Sequence, residues 1–326
     1  MSQQLRLSSK QPHREPWTKD TLIRERAAAL TNAIDRSTRR SYGSALNSWI
    51  AFAEMHDFAI EPTVDTLTFY IVYMSHHISP RSVKTYLSGL VHQLEPDFPS
   101  IRQIRSSRFV SQVMRGCLKS RGIAVQRKKA LLLDDLCVLA IRFHGSRNHD
   151  DLLFIAILLT GFHGLLRLGE MTFPDDASIR DWRKVTKRTS LLVHPTSYEF
   201  VLPGHKADKT FEGNRVVIRS LCSALNPCPL FSQYLSSHDR LFPASSPLWL
   251  TSSGCVPSRS FFLSRFRLFF QKGFAGASLR SGGATLLAMQ GTPAPVIRAM
   301  GRWSSDAWEV YIRTHPSVLQ ALLRCR

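Results

Sequence analysis

Apolar residues recur at helical spacing over much of the first third of the chain. The stripe from Val83 to Leu94 fills the i, i+3, i+4, i+7 and i+8 positions of a helix that buries one face, and it follows Ser79–Pro80, a common helix start. The same spacing predicts helices at 42–53 and 109–118, and the segment 64–76 is apolar around most of its circumference. About four helices therefore precede Gly122, enough for a small helical bundle.

The second half of the chain mixes helical and strand patterns. Helical spacing covers 134–142 and 150–166, and it returns from Phe261 towards the end of the chain. Short β-rich segments lie between these helices, at 190–193, 198–202 and 215–218. We therefore predict a mainly α chain whose second domain is α+β, a helical body that carries a small antiparallel sheet.

The 326 residues exceed what one hydrophobic core usually serves, so two domains are expected. The stretch 122–129 is poor in strand signals, and it closes a run of nine basic residues without an acidic one between Ile101 and Ala130. We place the domain boundary there. The predicted organisation is a basic flexible arm and first helix at 1–35, a helical domain at 36–122, a linker at 123–130 and the α+β domain at 131–326.

The charge of the chain indicates a polyanionic partner. Its 43 Lys and Arg residues and 24 Asp and Glu residues give a net charge of +19, while 44% hydrophobic residues are ordinary for a globular protein and exclude a disordered basic tail. The chain up to Gln126 has 17 basic and 10 acidic residues, which gives a net charge of +7. The rest has 26 basic and 14 acidic residues, which gives a net charge of +12. Two basic domains favour a clamp around one polyanion, although charge alone does not distinguish DNA from RNA or acidic protein.

Targeting and metal-binding signals are weak. Residues 1–17 are polar, and the longest apolar run, 152–162, is shorter than the roughly 18 to 20 residues that a membrane span needs, so we expect neither secretion nor membrane insertion. The six cysteines form no CxxC pair and no pairing with His. We therefore expect free thiols, no metal site and no cofactor.

The segment Gly164–Met171, GLLRLGEM, carries the first motif that can handle a phosphate. It is expected to place Arg167 at the end of an apolar helix, with Glu170 one turn later on the same side, where the carboxylate can orient the guanidinium. A partly buried guanidinium needs an anion. Taken alone, the motif also fits a purely structural ion pair between these two residues.

The segment 277–285, ASLRSGGAT, is a second candidate. Arg280 lies at a helix start, and the two glycines after it let the backbone pack closely. A phosphate would find there both a fork of donors and the positive end of a helix.

Two further motifs gain meaning only in combination. In GRWSSDAWEVYIR, residues 301–313, Ser304 or Ser305 can cap a helix that presents Tyr311 on one face, yet Trp303 and Tyr311 alone fit core aromatics. Lys206 lies in the connection between two predicted strands, where a lone lysine is usually solvated.

The order of these motifs resembles the tyrosine recombinase (phage integrase-like) family, in particular its eukaryotic transposon-encoded branch. Arg-x-x-Glu, a hairpin Lys, LRSGGAT, GRWSSDA and Tyr-Ile-Arg follow one another as they do in that family, from about Arg36 onward and most specifically over 152–323. The resemblance implies a SAM-like, four-helix core-binding domain at 36–122 and a catalytic domain at 131–326, which close around duplex DNA as a C-shaped clamp.

The resemblance also implies a role for each motif residue. Arg167 and Arg280 would grip the scissile phosphate, Glu170 would steady Arg167, Lys206 would be the hairpin acid, Trp303 would support the phosphate, and Tyr311 would be the nucleophile. Lys206 is preferred to Lys209 because its spacing to Gly213 fits the family's hairpin better. The chain departs from the family at Ala277, where a His is written three residues before the second Arg.

These residue types suit phosphodiester cleavage without a metal. Two bidentate guanidiniums neutralise the charge that builds on the non-bridging oxygens, and they help a tyrosine, with an ordinary pKa of about 10, to ionise and attack phosphorus. Lys206 would then protonate the departing 5′-oxygen. Because Ala277 has no imidazole, we expect a loss of activity of roughly ten- to thousandfold, unless His205 or His163 takes over the role of the family's His.

The resemblance further implies duplex DNA as partner, a homodimer that assembles into a tetramer on paired sites, and residence in the nucleus.

A C-terminal helix, with Val318/Leu322 and Leu319/Leu323 on one face, would be exchanged between protomers or pack on its own domain. Predicted DNA contacts are the basic residues Arg39, Arg40, Arg81, Lys84, Arg102, Arg105, Arg115 and Lys119. The alternatives are a catalytically inactive DNA-binding protein on the same scaffold and a type IB topoisomerase, for whose additional lobes this chain is short.

Overall fold

The structure is a computed structural model that describes residues 14–124, 126–204, 212–221, 225–270, 273–305 and 309. The chain divides into two compact units, Met1–Val125 and Gln126–Arg326. Lys206, His205 and Tyr311, as well as the C-terminal helix predicted around 318–323, lie outside the described residues.

The described part of the first unit consists of helices. They are α1 (Lys19–Asn32), α2 (Arg36–Met55), α3 (Val64–His77), α4 (Pro80–Leu94), α5 (Ile101–Ser106) and α6 (Arg108–Arg121). Local signals fix their starts: Pro80 is the first residue of α4, and the side chains of Thr63 and Thr66 form a capping box at α3. The predicted helices are confirmed. The six-residue α5 was not predicted, because it is too short to show a period.

Aromatic side chains fill the core of this unit. Trp49 is fully buried, its ring centre lies 5.3 Å from that of Tyr70, and its Nε1 donates to the carbonyl oxygen of Ile60 at 2.9 Å. Burial raises the pKa of Tyr70 to about 12, although its hydroxyl donates to Ser48. The stripe of α4 faces this core, with Val83, Leu87 and Leu90 buried.

The second unit surrounds one apolar helix. Its elements are α7 (Leu133–Phe143), α8 (His149–His163), β1 (Leu192–His194), β2 (Ser197–Leu202), β3 (Asn214–Arg219), α9 (Pro227–Leu241), α10 (Arg259–Phe269), α11 (Ala277–Met289) and α12 (Ala294–Met300). Every residue from Leu152 to Phe162 is buried, so the longest apolar run of the chain is the central core helix. None of the helices in the described part of the chain is long and apolar enough to cross a membrane.

The strands form an antiparallel sheet in the order β1-β2-β3. Side chains of β2 alternate between core and outer face, and Tyr198, opposite Ile218, and Phe200, opposite Val216, point to the core. The predicted fold class, mainly α with a small antiparallel sheet, is confirmed.

The end of α8 differs from the prediction. The helix stops at His163 and not near Leu166, because Gly164 follows it and Leu165 has a left-handed backbone with φ +50°. Arg167 therefore lies beyond a turn, where it precedes the short 3-10 turn Leu168–Glu170. The turn keeps Glu170 within reach of Arg167 all the same.

Candidate functional site

Arg167 is held by the carboxylate three residues after it. Its Nη1 lies 2.8 Å from Glu170 Oε1, and its backbone N–H donates to Glu170 Oε2 at 2.9 Å. The Glu170 side chain is 7% exposed and that of Arg167 is 34% exposed. The buried carboxylate thus orients a guanidinium that keeps an open face.

Two glycines place Arg280, which lies in the first turn of α11. A Cβ on Gly282 would lie 2.4 Å from the carbonyl oxygen of Leu131, and a Cβ on Gly283 would lie 2.1 Å from that of Phe162. The absence of side chains therefore lets α11 press against the end of α8. Arg280 itself is only 5% exposed.

The Arg280 guanidinium rests on the segment that follows α12. Its Nη2 donates to the carbonyl oxygen of Gly301, and its central carbon lies 4.2 Å from the centre of the Trp303 ring. A Cβ on Gly301 would overlap that ring, 1.6 Å from Cζ3. Gly301 therefore leaves the space in which Trp303 stacks on Arg280.

Arg302, between these two residues, was not predicted to belong to the site. Its side chain is 7% exposed, and its Nη2 lies 3.6 Å from Glu170 Oε2 and donates to the carbonyl oxygens of Gly164 and Leu165 at 3.3 and 3.2 Å. Burial lowers the pKa of Arg302, and the charge of Glu170 opposes that shift. Most of the many arginines in this chain are expected to be solvated. The sequence therefore offers no signal that Arg302 is buried.

These contacts bring four predicted residues into one cluster. Arg167 pairs with Glu170, Glu170 faces Arg302, and Arg280 binds Gly301 and Trp303. Of the two predicted phosphate-gripping arginines, Arg280 thus contacts the segment 301–303 directly, and Arg167 is linked to it through Glu170. Lys206 and Tyr311 lie outside the described residues, and their roles stay predictions.

Ala277 is the first residue of α11, and its side chain is exposed. A methyl group there neither donates a hydrogen bond nor transfers a proton. His163, one of the two proposed substitutes, ends α8; its Nε2 is buried without a hydrogen-bond partner in the described part of the chain, and burial lowers its pKa to about 4. It is therefore neutral at pH 7, and its stand-in role stays a prediction.

A basic cavity of about 530 Å³ lies in the first unit. Leu87, Val110 and Met114 contribute apolar surface to it, and its cations are Lys84, Arg105, Arg108 and Arg115. Sequence reasoning nominated three of these cations and missed Arg108, although it belongs to the same basic run.

Not every nominated cation has the same freedom to meet a phosphate. Arg102 pairs with Glu95, with Nε 2.6 Å from Oε1, whereas Arg105 is partly buried and donates to Ser88 Oγ at 2.9 Å. Burial lowers the pKa of Arg105. The remaining nominated cations are exposed, and they are Arg39, Arg40, Arg81, Lys84, Arg115 and Lys119.

No protein-family model and no curated protein matches this sequence. Solved structures do match. The XerH site-specific recombinase bound to palindromic difH substrate in a post-cleavage complex has a TM-score of 0.59 at 14% identity, over 87% of this chain and 78% of that one. The Tn1549 transposon integrase in complex with transposon right end DNA has a TM-score of 0.56 at 11% identity, over 94% of this chain and 97% of that one. A lambda integrase dimer bound to a COC′ core site has a TM-score of 0.53 at 14% identity, over 88% of this chain and 95% of that one. The chain thus has the fold of the tyrosine recombinases.

Proposed function

We propose that this chain is a tyrosine recombinase, a DNA strand transferase that cuts and rejoins duplex DNA at specific sites through a 3′-phosphotyrosyl link. The observation that carries the proposal is that both arginines are linked to one segment, 301–303. Arg280 contacts Gly301 and Trp303 directly, and Arg167 is linked to Arg302 through Glu170. The fold supports it, since the three similar structures are recombinases or integrases in complex with DNA. Two guanidiniums near one phosphate stabilise the charge of its transition state.

The reaction follows from the residue types. The phenolic oxygen of Tyr311 attacks phosphorus and its proton passes to water, because Ala277 cannot accept it. The bond from phosphorus to the 5′-oxygen breaks, and Lys206 donates the proton that makes this oxygen a hydroxyl. A 5′-hydroxyl from a second strand then attacks the phosphotyrosine, which restores both the phosphodiester and the tyrosine.

Duplex DNA is the proposed partner of both units. The cavity of Lys84, Arg105, Arg108 and Arg115 offers four cations to a phosphate backbone, whose binding releases counterions. The lambda integrase structure is a dimer on its site. For this chain we propose a dimer that pairs into a tetramer, with exchange of the C-terminal segment between protomers. The eukaryotic transposon origin and the nucleus belong to the same proposal and rest on the wording LRSGGAT and GRWSSDA.

A second candidate is a DNA-binding protein without strand transfer on the same scaffold. Ala277 favours it, because the residue supplies neither a proton nor a hydrogen bond where the family has an imidazole. The candidate predicts tight DNA binding and no covalent product.

One assay separates these functions. The full chain is incubated with a pool of nicked suicide duplexes of randomised sequence, and covalent adducts are detected on a denaturing gel. We expect an adduct from the unmodified protein and a faster one from Ala277→His. An adduct from Ala277→His alone would favour the binding protein, and none from either would contradict strand transfer. Relaxation of any supercoiled plasmid would indicate a topoisomerase.

A further inference from the structure

We propose that Arg302 is a positioning residue of this site, which holds Glu170 and offsets its negative charge, so that the site keeps a net positive charge for the phosphate. The inference rests on the proposed function and extends it to a residue that the motif comparison left without a role.

The carboxylate of Glu170 lies between two guanidiniums. Oε1 accepts from Arg167 Nη1 at 2.8 Å, while Oε2 accepts from the backbone of Arg167 at 2.9 Å and lies 3.6 Å from Arg302 Nη2. Glu170 and Arg302 are each 7% exposed, whereas Arg167 keeps 34% of its side-chain surface open. Arg302 is therefore the buried cation of this trio, and Arg167 is the accessible one.

The charges explain why a second guanidinium is useful there. Arg167 and Glu170 alone form a neutral pair, which attracts a phosphate weakly. With Arg302 the trio carries one net positive charge, which attracts an approaching anion. Arg302 thus balances the carboxylate that orients Arg167.

Arg302 also connects the motif of Arg167 to the segment that contacts Arg280. Its donors reach the carbonyl oxygens of Gly164 and Leu165, in the turn before Arg167. Its neighbours Gly301 and Trp303 contact Arg280. A single side chain therefore fixes the spacing between the turn that leads to Arg167 and the segment that supports Arg280.

The backbone at this position favours a role for the side chain. Arg302 has φ +54°, in the left-handed region where glycine is most easily accommodated. Glycine would relieve the backbone but would provide no guanidinium. The strained arginine is thus explained by its contacts with Glu170 and the turn.

A double-mutant cycle tests the inference. The rate of adduct formation on the pool of nicked suicide duplexes is measured at saturating protein for Arg302→Gln, Glu170→Gln and the double variant. We expect Arg302→Gln to slow the reaction roughly tenfold or more with little change in DNA affinity, and Arg302→Lys to recover part of the rate. In the Glu170→Gln background the further loss should be smaller, because only the hydrogen bonds to the carbonyl oxygens of Gly164 and Leu165 are then removed. An equal loss in both backgrounds would overturn the proposal.

Two controls separate positioning from general stability. Arg302→Gly relieves the backbone while it removes the guanidinium, so we expect it to be as slow as Arg302→Gln; a rate equal to that of the unmodified protein would overturn the proposal. Arg188 pairs with Asp239 at 2.9 and 2.8 Å, which makes Arg188→Gln a control for the loss of another arginine–carboxylate pair in the same unit. We expect that variant to keep the rate.

A second readout does not depend on activity. The arginine side-chain NMR signals of the full-length protein, with Arg167 assigned through Arg167→Lys, should show a shift or broadening of the Arg167 guanidinium in Arg302→Gln and none in Arg188→Gln. An unperturbed Arg167 signal would overturn the positioning role. If the unmodified protein forms no adduct, the proposed function fails, and the NMR signal still decides the role of Arg302.

Discussion

The guanidinium carbon of Arg280 lies 4.2 Å from the centre of the Trp303 ring, and the same guanidinium donates to the carbonyl oxygen of Gly301. The ring covers one face of the cation and so limits the directions in which it can meet an anion. A close contact of this kind both orients the arginine and lowers its exposure to water.

Replacement of Trp303 should therefore slow strand cleavage. A cation–π contact is worth about 0.5 to 2 kcal/mol, so we expect Trp303→Ala to reduce the rate of adduct formation roughly two- to thirtyfold, and Trp303→Phe to reduce it less. The rate on suicide duplexes at saturating protein is the measurement. Equal rates for Trp303→Ala and the unmodified protein would show that the ring does not assist Arg280.

Introduction of an imidazole at residue 277 should raise activity. Ala277 is exposed at the start of α11, so a histidine there meets no packing barrier. We expect Ala277→His to accelerate adduct formation roughly ten- to thousandfold and to add a pH dependence near the ordinary histidine pKa of about 6.5. Ala277→Gln, which is polar but transfers no proton, is the control. An equal gain from glutamine would argue against proton transfer.

The packing of α11 on α8 predicts a contrast between two glycines. A Cβ at Gly283 would lie 2.1 Å from the carbonyl oxygen of Phe162, whereas Gly116 in α6 has open space around it. We expect Gly283→Ala to lower the free energy of unfolding by about 1–3 kcal/mol or more, and Gly116→Ala to raise it by about 0.5–1 kcal/mol. Urea unfolding measures both. A neutral Gly283→Ala would mean that the two helices are farther apart than in this structure.

The basic cavity predicts unequal contributions to DNA binding from the arginines of the first unit, depending on whether they line it. Arg115 lines the cavity, while Arg102 is engaged by Glu95. Removal of one phosphate contact lowers the slope of log affinity against log salt by about one. We expect that change for Arg115→Gln and a smaller one for Arg102→Gln, measured by binding to random-sequence duplex at several salt concentrations. The opposite order would exclude the cavity as the DNA-binding face.

The largely buried imidazole of His163 predicts a loss of stability in acid. Its pKa is about 4 in the folded protein against about 6.5 when unfolded, so the unfolded chain binds the extra proton between these values. The neutral imidazole contributes its full share to the free energy of unfolding above pH 6.5. This share decreases as the pH falls towards 4, by up to about 3 kcal/mol. We expect His163→Leu to flatten this part of the stability profile. An unchanged profile would assign the acid sensitivity to other groups.

Periodicity predicted the elements that bury one clear face, such as the stripe of α4 and the alternation of β2. It failed for α5, which is shorter than two turns, and for the end of α8, where the apolar pattern continues past the left-handed Leu165. Motif order nominated Arg167, Glu170, Arg280 and Trp303, which the fold brings into one cluster. Arg302 was missed because its burial depends on carbonyl oxygens of Gly164 and Leu165, more than a hundred residues away in the chain.

The direct test of the proposed chemistry is the location of the covalent bond. Adducts from suicide duplexes of the full chain, digested with nuclease and trypsin, should yield by mass spectrometry a peptide that carries a nucleotide 3′-phosphate on Tyr311, and Tyr311→Phe should yield none. A nucleotide on another residue, or an adduct that persists in Tyr311→Phe, would contradict the account.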